Sequence, residues 1–171
     1  MNVHTGTAAL SDLERFGLTV HPVDGTHEHL GRRHRTKVRI SIDPAAPLGP
    51  SMIVGIGEGE ARRLMPLSPF EATTMVDELV ARGLLVGNER LRHTVEHLLA
   101  RLSEIYSELA LRSLTVDPAV VSEAGYCIDT ASLDYGHRPP HAGKAQAHKD
   151  VGGRDNVGVQ PRPHGRPPLA R

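Results

Sequence analysis

The stretch SLTVDPAVVSEAGYCIDTA, residues 113 to 131, predicts two short strands joined by a turn. The turn falls at residues 122 to 125, a Ser-Glu-Ala-Gly sequence between two apolar runs. Each strand carries one aspartate, Asp117 in the first and Asp129 in the second. These carboxylates are the charged groups of the two strands, so their relative position decides what the hairpin can do.

The length of the turn sets the register of this hairpin. A three-residue turn pairs Val121 with Gly125 and places Asp117 opposite Asp129 on one face. A two-residue turn shifts the register by one residue and sends the two carboxylates to opposite faces. Because like charges held opposite each other destabilise a sheet, the first alternative requires a positive group between them.

Pro118 constrains the same point of the first strand. A proline has no N–H to donate to a neighbouring strand, so this position predicts a sheet edge or a β-bulge, where a carboxylate can turn outward. Carboxylate oxygens suit Mg²⁺, which fills its other positions with water and phosphate oxygens. Asp117 and Asp129 are therefore candidate Mg²⁺ ligands, and solvated strand carboxylates are the alternative.

The composition limits the classes of function. The 171 residues are 39% apolar and 3% aromatic, without Trp, so one domain with an aliphatic core is expected and nucleic-acid binding is not. The single cysteine, Cys127, cannot form an internal disulfide, and it predicts a packed thiol in a reducing cytoplasm. We find no apolar run of membrane-spanning length and expect a soluble cytoplasmic protein.

Residues 1–135 show the periodicities of an α+β domain, mainly an antiparallel sheet with packed helices. A short helix is expected over residues 8–16. Strands are expected over residues 18–23, 36–43, 51–57 and 61–65, before the hairpin already described.

Two longer helices are expected between these strands and the hairpin. The first has Ser68 as its N-cap, Glu71 completing a capping box and Gly83 as its end. Its apolar side chains, Phe70 among them, are expected along one stripe. The second runs from Asn88 to about residue 107, and its leucines recur at three- and four-residue steps.

Residues 136–171 lose all periodicity and form a separate segment. They are rich in Pro, Gly, His and Arg, with seven Lys/Arg against two acidic residues, whereas residues 1–135 have 13 Lys/Arg against 18 Asp/Glu. This composition predicts a disordered basic tail.

The histidines form two groups that resemble metal ligands. HTVEH, residues 93–97, has the spacing of an inverted zinc metalloprotease helix, but helical geometry places His93 and His97 on the side that faces water. HEH, residues 27–29, lies in a polar loop, for which adventitious metal affinity is expected.

A glycine-rich segment, VGIGEGE, follows an apolar strand at residues 54–60. Gly55, Gly57 and Gly59 are candidate nucleotide- or phosphate-binding residues, because glycines allow a backbone to approach phosphate oxygens closely. The segment lacks the Lys-Ser/Thr of a phosphate loop, so a tight turn is the alternative.

Seven short motifs follow one another between residues 12 and 135. They are Val20-His21-Pro22, Asp43-Pro44 with Leu48-Gly49-Pro50, Gly55-Ile56-Gly57, Arg63 to Ser68, Leu84 to Gly87, Leu114 to Pro118, and Ile128-Asp129-Thr130. In this order they resemble the C-terminal half of the ATP-grasp domain in NDP-forming acyl-CoA synthetases. That family includes the acetate and succinate CoA ligases and related protein acetyltransferases.

The resemblance implies a site and its cofactors. Asp117 takes the place of a family Asn and Asp129 matches a family Asp, which together hold the Mg²⁺ of a bound nucleotide. ATP or ADP and Mg²⁺ are thus the implied cofactors. The family's reaction passes through an acyl phosphate and a phosphohistidine, and such transfer needs cations around the phosphates.

The departures from the family pattern imply that parts of the family's active site are supplied by another chain. The family's second lobe has no counterpart here, and Lys37 stands where the family tends to carry Glu. We therefore expect a chain that is not catalytic alone and acts with a partner chain supplying the missing lobe and a CoA-binding domain. Any activity of that complex would be NDP-forming acid–CoA ligation. The alternative is a non-catalytic pseudoenzyme that uses its basic tail to bind an acidic partner.

Overall fold

The structure, a computed structural model, describes residues 2–21, 27–31 and 35–136, which belong to one compact unit. Within these residues the chain forms an α+β domain with a seven-stranded antiparallel sheet and three α-helices. The predicted fold class is therefore confirmed. Apart from Gly136, the predicted tail lies outside the described residues, and its disorder stays a prediction.

The elements follow in the order strand, helix, three strands, two helices and three strands, with a short 3₁₀ helix after the first α-helix. They are β1 (Val3–Thr5), α1 (Gly6–Arg15), the 3₁₀ helix (Glu28–Leu30), β2 (Thr36–Asp43), β3 (Ser51–Ile56), β4 (Gly59–Leu64), α2 (Pro69–Ala81), α3 (Glu89–Glu108), β5 (Ser113–Ser122), β6 (Gly125–Ile128) and β7 (Ala131–Asp134).

Strand β5 is the centre of the sheet. It pairs with β2 along one side, while on its other side β7 pairs with its first half and β6 with its second half. The strand order is β1-β7-β5-β2-β3-β4, with β6 beside β5. The strand expected over residues 18–23 is reduced to one parallel bridge between Val20 and Ile128, and Pro22 and Val23 lie outside the described residues.

One aliphatic core joins the three helices to a single face of the sheet. The predicted leucine stripe of α3 is fully buried in it, together with residues of α1, α2 and alternate positions of the strands. A second, smaller cluster of Leu30, Val120 and Cys127 packs between the 3₁₀ helix and β5–β6. Because the polar loop expected at residues 24–35 contains Leu30, that loop has an anchor on the sheet.

The ends of α2 agree with the predicted caps. The Ser68 hydroxyl accepts a hydrogen bond from the Glu71 N–H at 3.2 Å, and the Glu71 carboxylate accepts one from the Ser68 N–H at 2.7 Å. Gly83 follows the helix with a φ of +70°. The expectation for Phe70 is wrong: it is 75% exposed, because it precedes the buried Leu79 by nine residues and so lies about half a turn around the helix.

The hairpin between β3 and β4 has a two-residue turn. Ile56 pairs with Gly59, and Gly57 occupies the first turn position with a φ of +57°. Glycine is the residue that adopts this backbone without steric cost, which explains its place in the turn.

A polar contact joins the first and last elements of the domain. The Tyr135 hydroxyl donates a hydrogen bond to the Asp12 carboxylate at 2.7 Å, and His4 Nδ1 lies 2.6 Å from the same oxygen. Burial, and then the adjacent carboxylate, raises the pKa of Tyr135. This contact holds α1 against the end of β7.

None of the helices in the described ranges is long and apolar enough to cross a membrane.

Replacing Tyr135 by Phe is expected to lower the free energy of unfolding at pH 7 by about 1–2 kcal/mol, because a hydrogen bond to a carboxylate is lost. The folded-state pKa of Tyr135 is raised above its ordinary value of 10.0, so the contribution of this hydroxyl to stability is complete below pH 10 and falls above it. Urea denaturation at pH 7 and at several values above 10 measures both effects. The variant should lose less stability than the parent in the alkaline range.

The matched control is Tyr106→Phe. The Tyr106 hydroxyl has no hydrogen-bond partner among the described residues, so its loss should change the free energy of unfolding at pH 7 by less than about 0.5 kcal/mol. Equal destabilisation by the two substitutions would contradict a special role for the contact with Asp12.

Replacing Gly57 by Ala is expected to cost about 1–2 kcal/mol, since a side chain at a positive φ is strained even where nothing crowds its Cβ. Urea denaturation of Gly57→Ala beside Glu58→Ala, which changes the other turn residue, measures the difference. If the two variants unfold at the same urea concentration, the turn does not depend on this backbone conformation.

Candidate nucleotide and metal site

The hairpin of β5 and β6 has the two-residue turn. Val121 pairs with Tyr126 and Ser122 with Gly125, which leaves Glu123 and Ala124 as the turn. The Ser122 hydroxyl accepts a hydrogen bond from the Ala124 N–H at 3.2 Å, so the turn is stabilised from within. The three-residue alternative, and with it the direct apposition of the two aspartates, is wrong.

The predicted irregularity at Pro118 is a β-bulge. Val38 pairs with Ala119 and Ile40 with Val116, so Asp117 and Pro118 together face one residue of β2, Arg39. Val116 and Ala119 are both buried in the main core, although strict alternation would place them on opposite faces. The prediction that a two-residue turn sends the two carboxylates to opposite faces assumes strict alternation along β5. The bulge breaks that alternation between Val116 and Ala119.

The two aspartates have different hydrogen-bond partners. The Asp117 N–H donates to the Thr130 carbonyl and the Asp129 N–H to the Pro118 carbonyl, each at 3.0 Å, so neither aspartate pairs with the other. The Asp117 side chain is exposed, without an ion pair to any described residue. The Asp129 side chain is 22% exposed, and its Oδ1 lies 2.7 Å from His27 Nε2.

Backbone contacts place two histidines beside Asp129. The His21 N–H donates to the Ile128 carbonyl at 2.8 Å and the Ile128 N–H donates to the Thr19 carbonyl at 2.9 Å, so the segment that ends at His21 runs along β6. His27 precedes the 3₁₀ helix, whose Leu30 N–H donates to the His27 carbonyl at 3.0 Å.

The result is a group of three metal-ligating side chains. One ligand atom each of His21, His27 and Asp129 lies within 4.8 Å of the other two, and the described ranges contain no other group of three or more such residues this close together. The two imidazole rings meet edge to face, with centroids 4.8 Å apart. Asp117 is outside this group.

The sequence does not predict this group, because its pattern indicates a polar loop with adventitious metal affinity for the HEH segment. The available signal is Leu30, an apolar residue directly after that segment, which packs on Val120 and Cys127. Its burial brings the loop onto the sheet and His27 to Asp129. A separation of 102 residues between His27 and Asp129 hides their contact from any local pattern.

Cys127 behaves as the sequence predicts. It is fully buried, and burial, together with the neighbouring Asp129 carboxylate, raises the pKa of its thiol to about 11. The packed, protonated thiol is thus a structural residue at neutral pH.

The three candidate phosphate-binding glycines each have a structural explanation. A Cβ on Gly55 would lie 2.7 Å from the guanidinium of Arg39, which donates to the Gly57 carbonyl at 2.6 Å. A Cβ on Gly59 would lie 2.4 Å from Leu84, and Gly57 makes the turn. A role of these glycines in nucleotide binding stays a prediction.

Outside the small apolar cluster at Leu30, the face of the sheet opposite the main core carries exposed cations on β2. Lys37 and Arg39 are exposed there and alternate with the buried residues of that strand. The Lys37 ammonium has no hydrogen bond or ion pair within the described residues. At the end of the same strand Asp43 lies 3.9 Å from Arg62. The two β2 cations that have no ion pair within the described residues, Lys37 and Arg39, lie nearer the bulge.

The HTVEH helix has the solvated histidines that its periodicity predicts. His93 and His97 are both exposed on α3, and His93 lies near Glu89 and Glu96 at 3.6 and 3.4 Å. Together with Pro69 and Ala72 of α2 they border a shallow surface groove. Within the described residues no third ligand joins them, in contrast to the group at Asp129.

No protein-family model and no curated protein matches this sequence. Solved structures do match. PH1788 from Pyrococcus horikoshii Ot3 aligns over 58% of this chain and 48% of its own, with 20% identity and a TM-score of 0.50.

Two enzymes are among the other matches. Dinucleotide-forming acetyl-coenzyme A synthetase 1 of Ca. Korarchaeum cryptofilum, in complex with coenzyme A and Mg-AMPPCP, aligns over 58% of this chain and 52% of its own, with 21% identity and a TM-score of 0.48. ATP citrate lyase from Methanothrix soehngenii, in complex with citrate and coenzyme A, aligns over 60% and 24%, with 16% identity and a TM-score of 0.42.

The chain spans about half the length of the acetyl-coenzyme A synthetase chain that it matches. At 20% identity, the similarity to PH1788 shows a shared fold alone. The matched structures include an acetyl-coenzyme A synthetase, the class of protein that the motifs resemble, and an ATP citrate lyase.

Proposed function

We propose that this chain is an ATP-grasp-like lobe that is not catalytic alone and acts with a partner chain in ATP-linked acyl-CoA metabolism. The observation that carries the proposal is the asymmetry of the sheet. Its one face is filled by the helices, whereas the other, outside the small apolar cluster at Leu30, presents two exposed cations, Lys37 and Arg39, from one strand. Such a face is suited to phosphate groups that a second lobe covers.

The electrostatics explain why the lobe needs a cover. Lys37 and Arg39 are two positions apart on one strand, so their attachment points are about 7 Å apart, a spacing that can serve neighbouring phosphates. Two opposite unit charges 4 Å apart attract by about 1 kcal/mol in water and by about 4 kcal/mol at the lower effective dielectric near a protein. A covering lobe excludes water, which raises the contribution of each cation to holding a nucleotide.

The expected Mg²⁺ ligands do not fit that ion as a pair. Asp117 is exposed at the bulge and offers suitable oxygens. Asp129 instead has an imidazole nitrogen of His21 and one of His27 within 4.8 Å, the latter at hydrogen-bond distance. In the proposed function the cations of β2 therefore bind the nucleotide phosphates on this lobe. Any further cations, the phosphate-covering loop and the CoA-binding part belong to the partner chain.

The covered lengths and bound molecules of the neighbours support this division. The matched part is about half of the acetyl-coenzyme A synthetase chain, and that structure is a complex with coenzyme A and Mg-AMPPCP. For the complete assembly we propose NDP-forming acid–CoA ligation, which converts an acid, CoA and ATP into acyl-CoA, ADP and phosphate.

The alternative function is a pseudoenzyme that binds an acidic partner through its basic tail. It depends on residues outside the described ranges and stays a prediction.

The test is affinity purification of the full chain from its native host, followed by mass spectrometry and reconstitution with any chain that co-purifies stoichiometrically. We expect that chain to contain a second ATP-grasp lobe and a CoA-binding domain. ADP release from ATP, CoA and a short-chain acid should require both chains. Lys37→Gln in the reconstituted pair should raise the KM for ATP about tenfold, since one charge-assisted phosphate contact is lost.

Arg90→Gln is the matched control, because it removes an equal charge from an exposed position at the start of α3. It should leave the KM for ATP unchanged. ADP release by the isolated chain would contradict the non-catalytic assignment. Capture that is abolished by deleting residues 136–171, with no ATP-dependent activity in the reconstituted pair, would favour the interaction module instead.

A further inference from the structure

We propose that His21, His27 and Asp129 bind a divalent transition-metal ion of the zinc class. The proposal goes beyond the nucleotide-binding role and does not depend on it. It is based on three side chains from separate parts of the chain whose ligand atoms lie within 4.8 Å of one another. The chemistry of these donors and the way their backbones are held both favour such an ion.

The distances are close to those of a metal centre. Zinc binds imidazole nitrogens at about 2.0–2.1 Å, so tetrahedral ligand atoms are roughly 3.4 Å apart. His27 Nε2 and Asp129 Oδ1 are already 2.7 Å apart, and no pair in the group exceeds 4.8 Å. Side-chain rotations that move the ligand atoms by about 1 Å can therefore form the site.

The backbones of all three residues are fixed by hydrogen bonds. His21 is bonded through its N–H to Ile128, directly before Asp129, and Asp129 is bonded through its N–H to Pro118. The His27 carbonyl accepts hydrogen bonds from the Leu30 N–H and from the Arg35 guanidinium, the latter at 2.8 Å. The backbones that carry the three donors are therefore held in place, which reduces the entropy lost on binding.

The surroundings allow an ion to enter and to be held. The His27 and Asp129 side chains are each 22% exposed, so an ion and a completing water can reach them from solvent. Beneath them lies the apolar cluster of Leu30, Val120 and Cys127, which lowers the local dielectric and strengthens the attraction between the carboxylate and a cation.

The donor set selects the kind of metal. Two imidazoles with one carboxylate suit Zn²⁺, Co²⁺ or Ni²⁺, whereas Mg²⁺ prefers oxygen ligands and retains its waters. Three protein ligands leave one tetrahedral position for water. Asp129, which the family resemblance associates with Mg²⁺, is thus reassigned to a nitrogen-rich site.

A bound ion would join distant parts of the domain. It would link the segment that runs beside β6, the start of the 3₁₀ helix and the end of β6, which includes residues 102 positions apart. Because binding to the folded state stabilises it by mass action, the melting temperature should rise with the concentration of Zn²⁺.

The experiment uses the metal-free full chain, without nucleotide or CoA, so its outcome is independent of the proposed ligase role. Isothermal titration with Zn²⁺ measures affinity and stoichiometry, and absorption after Co²⁺ addition reports tetrahedral coordination. We expect one tight equivalent in the parent. Two variants should each weaken Zn²⁺ binding at least tenfold and abolish the intense Co²⁺ bands. They are the double variant His21→Asn/His27→Asn and the single variant Asp129→Asn.

The other nine of the 11 histidines can bind metal weakly, so a matched control is required. His93→Asn/His97→Asn removes two exposed histidines one helical turn apart and should leave the tight equivalent and the Co²⁺ spectrum unchanged. Circular dichroism and melting curves establish that each variant is folded. If the double variant unfolds, the Zn²⁺ affinity of the single variant His21→Asn is the test, because this substitution leaves the contact between His27 and Asp129 in place.

Three results would overturn the proposal. The first is an equal loss of Zn²⁺ affinity in the control and the site variants. The second is unchanged affinity in His21→Asn and Asp129→Asn. The third is a parent chain whose melting temperature and Co²⁺ spectrum do not respond to the metal.

Discussion

The sheet and its polar groups depend on one constraint, the pairing of β5 with other strands on both of its sides. The pairing with β2 is interrupted by the bulge at Asp117 and Pro118. Pro118 cannot donate to β2, and two residues of β5 therefore face Arg39 alone. The bulge restores Ala119 to the helix-covered face after Val116, so both halves of the strand contribute to one core. The opposite side of β5 changes partner at the same level, from β7 to β6.

This change of partner explains where the polar side chains gather. Asp129 lies between β6 and β7, where the paired strand is interrupted, and its carboxylate turns to His27 instead of facing Asp117. The bridge at Val20 carries His21 to the same place, and the packing of Leu30 carries His27 there. The burial of Leu30 and the backbone pairing at Val20 thereby bring three side chains of metal-ligating type together.

The polar face of the sheet thus offers two kinds of chemistry from neighbouring elements. Strand β2 presents Lys37 and Arg39, which suit phosphate oxygens, while the end of β6 presents a nitrogen-rich donor set. Gly55 in β3 leaves room for the guanidinium of Arg39, Gly57 makes the turn, and Gly59 at the start of β4 leaves room for Leu84. In the proposed function these exposed cations attract phosphate groups only weakly in water, which is the physical reason for proposing a partner chain that covers them.

The sequence by itself determined the α+β class, the capped helices, the buried stripe of α3, the exposed His93 and the irregularity at Pro118. These features depend on local propensity, periodicity and the missing N–H of proline, all of which act over a few residues. Only the tertiary structure decided the two-residue turn, which the Ser122 hydroxyl stabilises. The tertiary structure also decided which side chains contact Asp129, because the contact with His27 spans 102 residues and depends on packing that no local pattern encodes.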